Sequence, residues 1–225
     1  MALILSVETA TKNCSVSLSK DGKLLDYKEL AEANFTHAEK LHLFIEDLLK
    51  ENGYNLSDLK AIAVSQGPGS YTGLRIGVSS VKGLCYALEI PMIAIDTLEV
   101  LARQLEIEEG LIIPMIDARR MEVYSTAFSK EYKALEDIQA LVVESDSYDR
   151  FKGQTLHLLG DGASKCKSLL DSSDFVYHDL LLYPSAKDMV VPAHEKFLAN
   201  EFVDVAYFEP FYLKDFVMAT KKKQV

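Results

Sequence analysis

The sequence predicts an α/β protein built from two copies of one unit. In each half an apolar strand ends in a carboxylate, a turn follows, and a second strand leads to a Ser-Lys pair; the first strands are Leu3 to Glu8 and Leu111 to Asp117. Later in each half a strand meets a glycine loop, Gly67-Pro68-Gly69 and then Gly160-Asp161-Gly162. Two matches in the same order indicate an internal duplication. The alternative is that an α/β protein without duplication shows similar recurring patterns by chance.

Three strands open the first half. Apolar and polar side chains alternate from Leu3 to Glu8 and again from Cys14 to Leu18, which is the period of a strand. The pair Asp21-Gly22 is typical of a hairpin turn, so we expect Leu24 to Leu30 to return as the third strand.

Two long helices follow. The first is predicted from Thr36 to Asn52, because Thr36 and Glu39 have the spacing of a capping box and apolar residues recur at helical intervals. The second is predicted from Ser70 to Leu88. The other elements of this half are the strands Lys60 to Gln66 and Pro91 to Asp96, and a helix that Asp96 or Thr97 caps and that ends in the acidic segment 106–110.

The second half repeats these elements in shorter form. After the strand that ends at Asp117, Ala118 to Met121 is expected to form a turn and Glu122 to Phe128 a strand. A further strand, Thr155 to Leu159, leads to the glycine loop, and a helix is expected after it.

The length of 225 residues fits one large domain or two small ones, and 48% hydrophobic with 26% charged residues is ordinary for a globular protein. The formal net charge is −10. Such a surface repels phosphates, so tight independent binding of nucleic acid is disfavoured unless basic residues cluster locally. We interpret Lys221-Lys222-Lys223 as a solvated terminus.

The cysteines indicate a reducing compartment. Cys14, Cys85 and Cys166 are widely separated and form no Cys-x-x-Cys pair, so neither a disulfide framework nor a thiolate zinc site is expected. The first residues lack the features of a signal peptide, and no apolar run approaches the ~20 residues of a membrane span. We therefore expect a soluble, cytoplasmic protein without a membrane partner.

The histidines do not predict a metal site. His37 and His42 point about 140° apart on a helix, and we interpret both as surface residues. His157, His178 and His194 lie on separate predicted elements, with no carboxylate at a metal-binding interval. No Gly-x-Ser-x-Gly elbow for a serine nucleophile occurs.

The glycine loops are weak candidates for binding an anion. The first lies between a strand and a helix, but a dinucleotide fingerprint needs glycine where Thr72 stands, so we favour a turn in which Ser70 caps the helix. The second, with Gly160 and Gly162, contains Asp161, which would repel a phosphate unless a metal intervened.

The second long helix has an apolar stripe beside a face of small residues. Glycine inside a helix costs up to ~1 kcal/mol relative to alanine, and close approach of another backbone is the usual reason for it. The approaching element is either this chain's own sheet or first helix, or a partner subunit that packs on the exposed remainder of the helix, which Arg75 and Lys82 border. The small face comprises Gly73, Gly77, Ser80, Gly83 and Ala87.

Four segments, in order along nearly the whole chain, resemble the TsaB (YeaZ) family: Glu8 to Val16, Ser65 to Gly77, Ile116 to Tyr124 and Pro210 to Lys214. The block Gly-Pro-Gly-Ser-Tyr-Thr-Gly-Leu-Arg-Ile-Gly within the second segment is highly specific to this family and its relatives. The resemblance implies an actin-like ATPase-domain (ASKHA) fold of two ribonuclease-H-like lobes. We expect the lobes at residues 1–105 and 106–210, with a tail, 211–225, that packs back on the first lobe.

The resemblance also implies a function. The family belongs to the bacterial machinery that installs threonylcarbamoyladenosine beside the anticodon of tRNA. Its paralogue TsaD transfers the threonylcarbamoyl group, and the ATPase TsaE assists turnover. A TsaB protein is expected to be a required, non-catalytic subunit that pairs with TsaD, forms a homodimer when alone, and meets tRNA only through the complex. The isolated chain is expected to hold no cofactor, with ATP or ADP at the interface of the complex and Gly160 and Gly162 as weak nucleotide contacts.

The expected pairing surface is formed by the two long helices. From it we expect Val78→Arg or Gly77→Leu to abolish pairing while the monomer stays folded. The residues predicted at this interface are Leu41, Ile45, Tyr71, Leu74, Arg75, Gly77, Val78, Val81, Lys82 and Cys85.

Three differences from relatives qualify the resemblance. The segment Asp96 to Leu101 lacks the His-x-x-x-His pair that TsaD carries there, which favours a non-catalytic role. Glu8 stands where aspartate is frequent, which disfavours ATP binding in the first lobe. Lys214 replaces a common arginine.

Two enzyme readings compete with the scaffold. A sugar- or acetate-kinase-like phosphotransferase of the same fold would hold Mg-ATP between the lobes with Glu8, Asp117 and the loops at Gly67 and Gly160. An older family label, glycoprotease-like peptidase, needs a metal or nucleophile constellation that the sequence does not offer.

Overall fold

The computed structural model describes residues 1–31 and 37–214, which form two five-stranded sheets with helices packed on them. The first sheet and its helices are β1 (Leu3–Glu8), β2 (Asn13–Lys20), β3 (Lys23–Ala31), α1 (His37–Glu51), β4 (Ala61–Ser65), α2 (Tyr71–Leu88), β5 (Met92–Ile95) and α3 (Thr97–Ala102). The later elements are β6 (Leu111–Asp117), β7 (Glu122–Ser125), β8 (Gln139–Val142), β9 (Leu156–Leu159), β10 (Phe175–Tyr177) and α4 (Val190–Ala199).

The two sheets have the same topology. The first runs β3-β2-β1-β4-β5 and the second runs β8-β7-β6-β9-β10. In each, the central strand is antiparallel to the strand that follows it and parallel to the fourth strand of its unit. The duplication predicted from the strand patterns is confirmed, and the fold is the expected actin-like arrangement of two ribonuclease-H-like α/β units.

The first sheet is covered on both faces, which is why all of β1 is buried. Leu5 and Val7 pack toward the core that α1 and α2 close. On the opposite face Ile4 packs with Met189 and Ala193, which lie on and just before α4. The N–H of Ala186 donates to Ser15 Oγ at 2.9 Å, and Ser17 Oγ donates to the Ala186 carbonyl at 2.7 Å.

The chain therefore returns to the first lobe after the second sheet is complete. The sequence assigned residues up to 210 to the second lobe, and this is wrong for the segment from Ala186 through α4, because its apolar side chains are buried against the first sheet. Val203 also pairs with Met92 at the edge of β5. The lobe boundary near residue 105 stays a prediction, and the tail beyond 214 lies outside the described residues.

Several element boundaries differ from the predicted ones. The capping box at Thr36 falls outside the described residues. α3 ends at Ala102, well before the acidic segment, and the second glycine loop leads to a single 3₁₀ turn, Ser164–Cys166, rather than a helix. Serine hydroxyls compete for backbone hydrogen bonds, and this segment is serine-rich, which disfavours a longer helix. No helix in residues 1–31 and 37–214 is long and apolar enough to cross a membrane.

Candidate functional site

The loop before α2 is a helix cap. Ser70 Oγ accepts the N–H of Gly73 at 3.3 Å, as the favoured sequence interpretation expected. The N–H of Gly67 donates to Thr97 Oγ1 at 3.0 Å, and the N–H of Ser70 donates to the Ala10 carbonyl at 2.6 Å. Because these two amides already have partners, they are not available to cradle a phosphate.

The second glycine loop is also committed to its own lobe. The N–H of Gly160 donates to the Leu181 carbonyl at 2.7 Å and that of Gly162 to the Met115 carbonyl at 2.9 Å. A Cβ at Gly160 would stand 2.2 Å from the Met115 carbonyl oxygen. Packing against β6 thus requires these glycines, and these two amides are engaged within the chain. The predicted nucleotide contact at Gly160 and Gly162 stays a prediction.

The carboxylates that end β1 and β6 have different surroundings. Glu8 is fully buried, its Oε1 accepts the N–H of Ala10 at 2.5 Å, and its Oε2 has no hydrogen-bond partner among the described residues. Burial raises the pKa of Glu8 to about 7. Asp117, by contrast, is solvent-exposed and pairs with Lys165. A buried, half-protonated carboxyl and a carboxylate already paired with lysine are a poor pair for Mg²⁺.

No metal cluster is evident elsewhere in the described ranges, where no three His, Cys, Asp or Glu side chains are grouped to hold an ion. His42 is exposed as expected, but His37 is buried and its Nε2 lies 2.8 Å from the Thr11 carbonyl oxygen. The surface interpretation of His37 is wrong because the start of α1 covers the β1–β2 turn. Burial lowers the pKa of the His37 imidazole.

The three thiols are free and buried. Burial raises the pKa of Cys14 to about 11 and that of Cys85 to about 12, and it also raises the pKa of Cys166. A thiolate is the reactive form of cysteine, so these side chains are protonated and inert at neutral pH.

Most of the residues predicted at the partner interface belong to the core of this chain. Five of them lie in the core that α1 and α2 close over the first sheet, Gly77 lies against Thr9, and Leu74 is 1% exposed, so a partner has no direct access to them. The seven buried residues are Leu41, Ile45, Leu74, Gly77, Val78, Val81 and Cys85.

The two substitutions expected to leave the monomer folded are therefore wrong choices. Arginine at Val78 would bury a charge, and a side chain at Gly77 would start 2.2 Å from Thr9 Oγ1. Both changes are expected to unfold the chain.

The other three predicted residues line the outer side of α2. Tyr71 packs on Tyr212 with ring centroids 4.9 Å apart, and the Arg75 guanidinium lies 5.3 Å from the Tyr71 centroid. Lys82 Nζ donates to the carbonyls of Ala206 at 3.1 Å and Phe208 at 2.8 Å. These side chains hold the C-terminal segment against the helix, and their contact with a partner stays a prediction.

The small face of α2 divides into two parts. A Cβ at Gly73 would stand 2.1 Å from the Thr9 carbonyl oxygen, so Gly73 and Gly77 serve the chain's own packing. A Cβ at Gly83 would meet nothing within 4 Å among the described residues. The reading in which the chain's own packing requires the glycines holds at Gly73 and Gly77, and the partner reading stays a prediction at Gly83.

Large side chains are exposed on the outer sides of α1 and α2. Tyr86 is 83% exposed and Leu43, on the neighbouring helix, is 53% exposed. The two helices meet where Ser80 Oγ lies 3.3 Å from His42 Nε2. We call Leu43, Gly83, Tyr86 and Ala87 the outer helix surface. Sequence reasoning missed Leu43 and Tyr86, although a helical wheel places both off the apolar stripes.

Known proteins are similar to this chain over most of its length. A family model described as TsaD, tRNA N6-adenosine threonylcarbamoyltransferase, matches residues 31–222. The tRNA threonylcarbamoyladenosine biosynthesis protein TsaB of Escherichia coli is 32% identical over 221 residues, 94% of each chain. The protein of that name from Haemophilus influenzae is 27% identical and covers 94% of this chain and 93% of its own.

A solved structure of a related protein has the same fold. YeaZ from Pseudomonas aeruginosa superposes with a TM-score of 0.83 at 29% identity, covering 95% of this chain and all of that one. Sequence similarity and fold therefore agree over almost the full length, and the chain belongs to the TsaB (YeaZ) family.

Proposed function

We propose that this chain is a required, non-catalytic subunit of the machinery that forms threonylcarbamoyladenosine in tRNA, and that it pairs with the paralogue TsaD through the outer helix surface. The names of its relatives from E. coli and H. influenzae support the role in tRNA modification. The observation that carries the pairing is Gly83, a mid-helix glycine that meets none of the described residues outside its own helix.

Gly83 costs the isolated chain stability. A glycine within a helix is less favourable than alanine by up to ~1 kcal/mol, because its backbone loses more freedom on folding. At Gly73 and Gly77 the close approach of Thr9 accounts for the missing side chain. At Gly83 the described residues supply no such reason, which favours a second molecule that comes close to the helix there.

The neighbours of Gly83 suit burial in an interface. Tyr86 offers a large ring with a polar tip, a side-chain type enriched where proteins bind one another, and Leu43 adds apolar area. A shallow depression of about 540 Å³ beside Tyr86, bordered by Pro91 and Val205, can receive a partner's side chain. In the absence of TsaD the same surface is proposed to form the homodimer.

The chemistry of the described residues supports the non-catalytic role. The thiols are buried with raised pKa values, and the glycine-loop amides that would hold a nucleotide are engaged within the chain. In this proposal TsaD and TsaE supply the chemistry, ATP or ADP binds at the interface of the complex, and tRNA is met through the assembly.

The pairing is tested at Gly83. Gly83→Leu adds a side chain where the described residues leave space, so the monomer is expected to keep its thermal stability and lose co-elution with TsaD. Ala199→Leu, which enlarges an exposed position at the end of α4, is the matched control. Undiminished pairing of Gly83→Leu at wild-type strength would place the interface elsewhere.

The role in modification is tested by reconstitution. Purified TsaD, TsaE, the enzyme that makes the threonylcarbamoyl donor, and unmodified tRNA are combined with and without this chain. Modified adenosine is expected only when the chain is present; an equal yield without it would refute the required role. Titration of the isolated chain with Mg-ATP checks the kinase alternative, which predicts tight binding where the scaffold predicts none.

A further inference from the structure

The β6–β7 turn carries two arginines in a backbone conformation that arginine seldom adopts. Arg119 and Arg120 have φ values of 72° and 53°, in the left-handed region that favours glycine and tolerates asparagine or aspartate. The N–H of Arg119 donates to Asp117 Oδ1 at 2.9 Å, which fixes the turn. Both arginine side chains are exposed. Glycine or asparagine would adopt these φ values with less strain, so stability of the turn does not explain the two arginines. We therefore expect their guanidinium groups to have a functional role.

Two lysines pair with carboxylates at the ends of this turn, and a third lies on the first unit. Lys165 pairs with Asp117, and Lys214 pairs with Glu122 at the start of β7. Lys12 lies in the equivalent turn of the first unit.

The position of Lys12 relative to the turn follows from Asp161. Burial raises the pKa of Asp161, and the positive charge of Lys12 acts in the opposite direction, so Lys12 is a neighbour of that carboxyl. Asp161 in turn accepts the N–H of Asp117 at 2.9 Å. Lys12 and the start of the β6–β7 turn are thus both neighbours of Asp161.

The carboxylates of this region are already engaged. Asp117 and Glu122 are occupied by lysines, and Asp161 accepts a backbone N–H. No carboxylate of residues 1–31 and 37–214 lies within ion-pair distance of the side chains of Lys12, Arg119 or Arg120. We call these three residues the basic turn surface. On a chain with a formal net charge of −10, three such cations around Asp161 and this turn form a local exception.

Two aromatic residues precede Lys214 on the C-terminal segment. The C-terminal segment crosses from the first lobe, where the N–H of Phe211 donates to the Gln66 carbonyl at 2.7 Å, to Glu122 of the second lobe. Phe211 is 40% exposed, and Tyr212, which packs one side of its ring on Tyr71, is 38% exposed. Cationic side chains next to exposed rings are the combination that binds nucleic acid, with the cations on phosphates and the rings available to unstacked bases.

We propose that the basic turn surface binds the phosphate backbone of RNA, and that within the assembly it is this subunit's contact with tRNA. This inference rests on the proposed function, which supplies the RNA. It also meets the condition set by the overall charge, since a local cluster is what an acidic protein needs to approach a polyanion. An acidic partner protein is the competing occupant; the two aromatic residues before Lys214 favour RNA.

The test replaces both arginines by residues that suit the turn, as Arg119→Asn/Arg120→Gly. Affinity of the reconstituted assembly for an unmodified tRNA transcript is measured over a series of salt concentrations. We expect binding to weaken about tenfold at low salt and the slope of log K against log salt to fall by about 2, one for each lost phosphate contact. The control removes two lysines at the opposite end of the first sheet, as Lys23→Asn/Lys60→Asn, and is expected to bind as wild type.

A second measurement separates binding from folding. Because asparagine and glycine relieve the positive φ values, the arginine variant is expected to melt at or above the wild-type temperature. Weaker RNA binding by a chain that is no less stable is the supporting result. Unchanged affinity and salt slope would overturn the proposal, as would loss of TsaD pairing with tRNA binding intact, which would assign the surface to an acidic protein.

The test of RNA binding does not depend on the result of the reconstitution experiment. If the chain proves dispensable for modification, the proposed function fails, and the same pair of variants is compared by binding of tRNA to the isolated chain at low salt. A difference between them there keeps the basic turn surface as an RNA contact; no difference refutes it.

Discussion

Thr9 of the β1–β2 turn lies in the groove that Gly77 leaves on α2. A Cβ at Gly77 would stand 2.2 Å from Thr9 Oγ1, and this hydroxyl donates to the Gly73 carbonyl at 2.8 Å. The turn and the helix are thereby held in direct backbone contact. The missing side chain at Gly77 is a requirement of the monomer.

The two glycines Gly77 and Gly83 are expected to respond to alanine with opposite signs. Gly77→Ala forces Thr9 or α2 to move and should lower the free energy of unfolding by roughly 1–3 kcal/mol, the range of overpacking. Gly83→Ala should raise it by up to ~1 kcal/mol, because helix propensity improves and the described residues leave the space open. Urea denaturation of the isolated chain measures both, and destabilisation by Gly83→Ala would show that the position is filled by this chain.

Glu8 is expected to make stability depend on pH. Its pKa rises from 4.5 to about 7 on folding, so the native state holds a proton that the unfolded chain releases between these values. The resulting stabilisation is complete below pH 4.5 and is lost as the pH rises through about 7, with a slope of at most about 1.4 kcal/mol per pH unit.

Glu8→Gln isolates this contribution. The amide oxygen of glutamine can still accept the Ala10 N–H, and the side chain no longer ionises. The variant should unfold at a higher urea concentration than wild type above pH 7, and the gap should close toward pH 5. A gap that is constant from pH 5 to 8.5 would contradict ionisation of Glu8 as its cause.

The helix cap at Ser70 makes a separate prediction. Ser70→Ala removes the acceptor for the Gly73 N–H and should cost about 1 kcal/mol of unfolding free energy. Ser79→Ala, at an exposed position within the same helix, is the control and should change stability little. Equal effects at the two serines would mean that the hydroxyl of Ser70 does not stabilise the helix start.

The three cysteine thiols should not react with thiol reagents in the folded protein. Because Cys14, Cys85 and Cys166 are buried and protonated, a thiol reagent such as DTNB at pH 7.5 should react with none of them on the time scale of minutes. In denaturant all three should react. Rapid labelling of one thiol in the native state would reveal local opening around it.

Local patterns predicted most of the strands and the two long helices. The alternation of apolar and polar side chains predicted β1 and β2. The duplication was predicted from the order of elements, because an apolar strand that ends in a carboxylate, a turn and a second strand recur at β6 and β7. The acidic end of α3 and the helix expected after Gly162 were wrong, since capping and packing decide where a helix ends.

The site was less accessible to sequence reasoning. A helical wheel grouped Gly77 with Gly83, yet one faces Thr9 and the other faces outward, a distinction that depends on how the β1–β2 turn crosses the helix. The family resemblance led us to place Val78 and its apolar stripe at the partner surface, although the first sheet covers them. No local sequence pattern predicted that α4 packs on the first sheet, because this packing joins residues that are far apart in the sequence.

The return of α4 to the first sheet has a consequence for the duplicated halves. Cut at the point of duplication, the amino-terminal half would present Ile4, Ala63 and Ile93 to water, since the residues that shield them are encoded in the other half. A repeated topology thus does not mean that each half can fold on its own. The two units depend on each other for a dry interior, so unfolding is expected to be a single cooperative event.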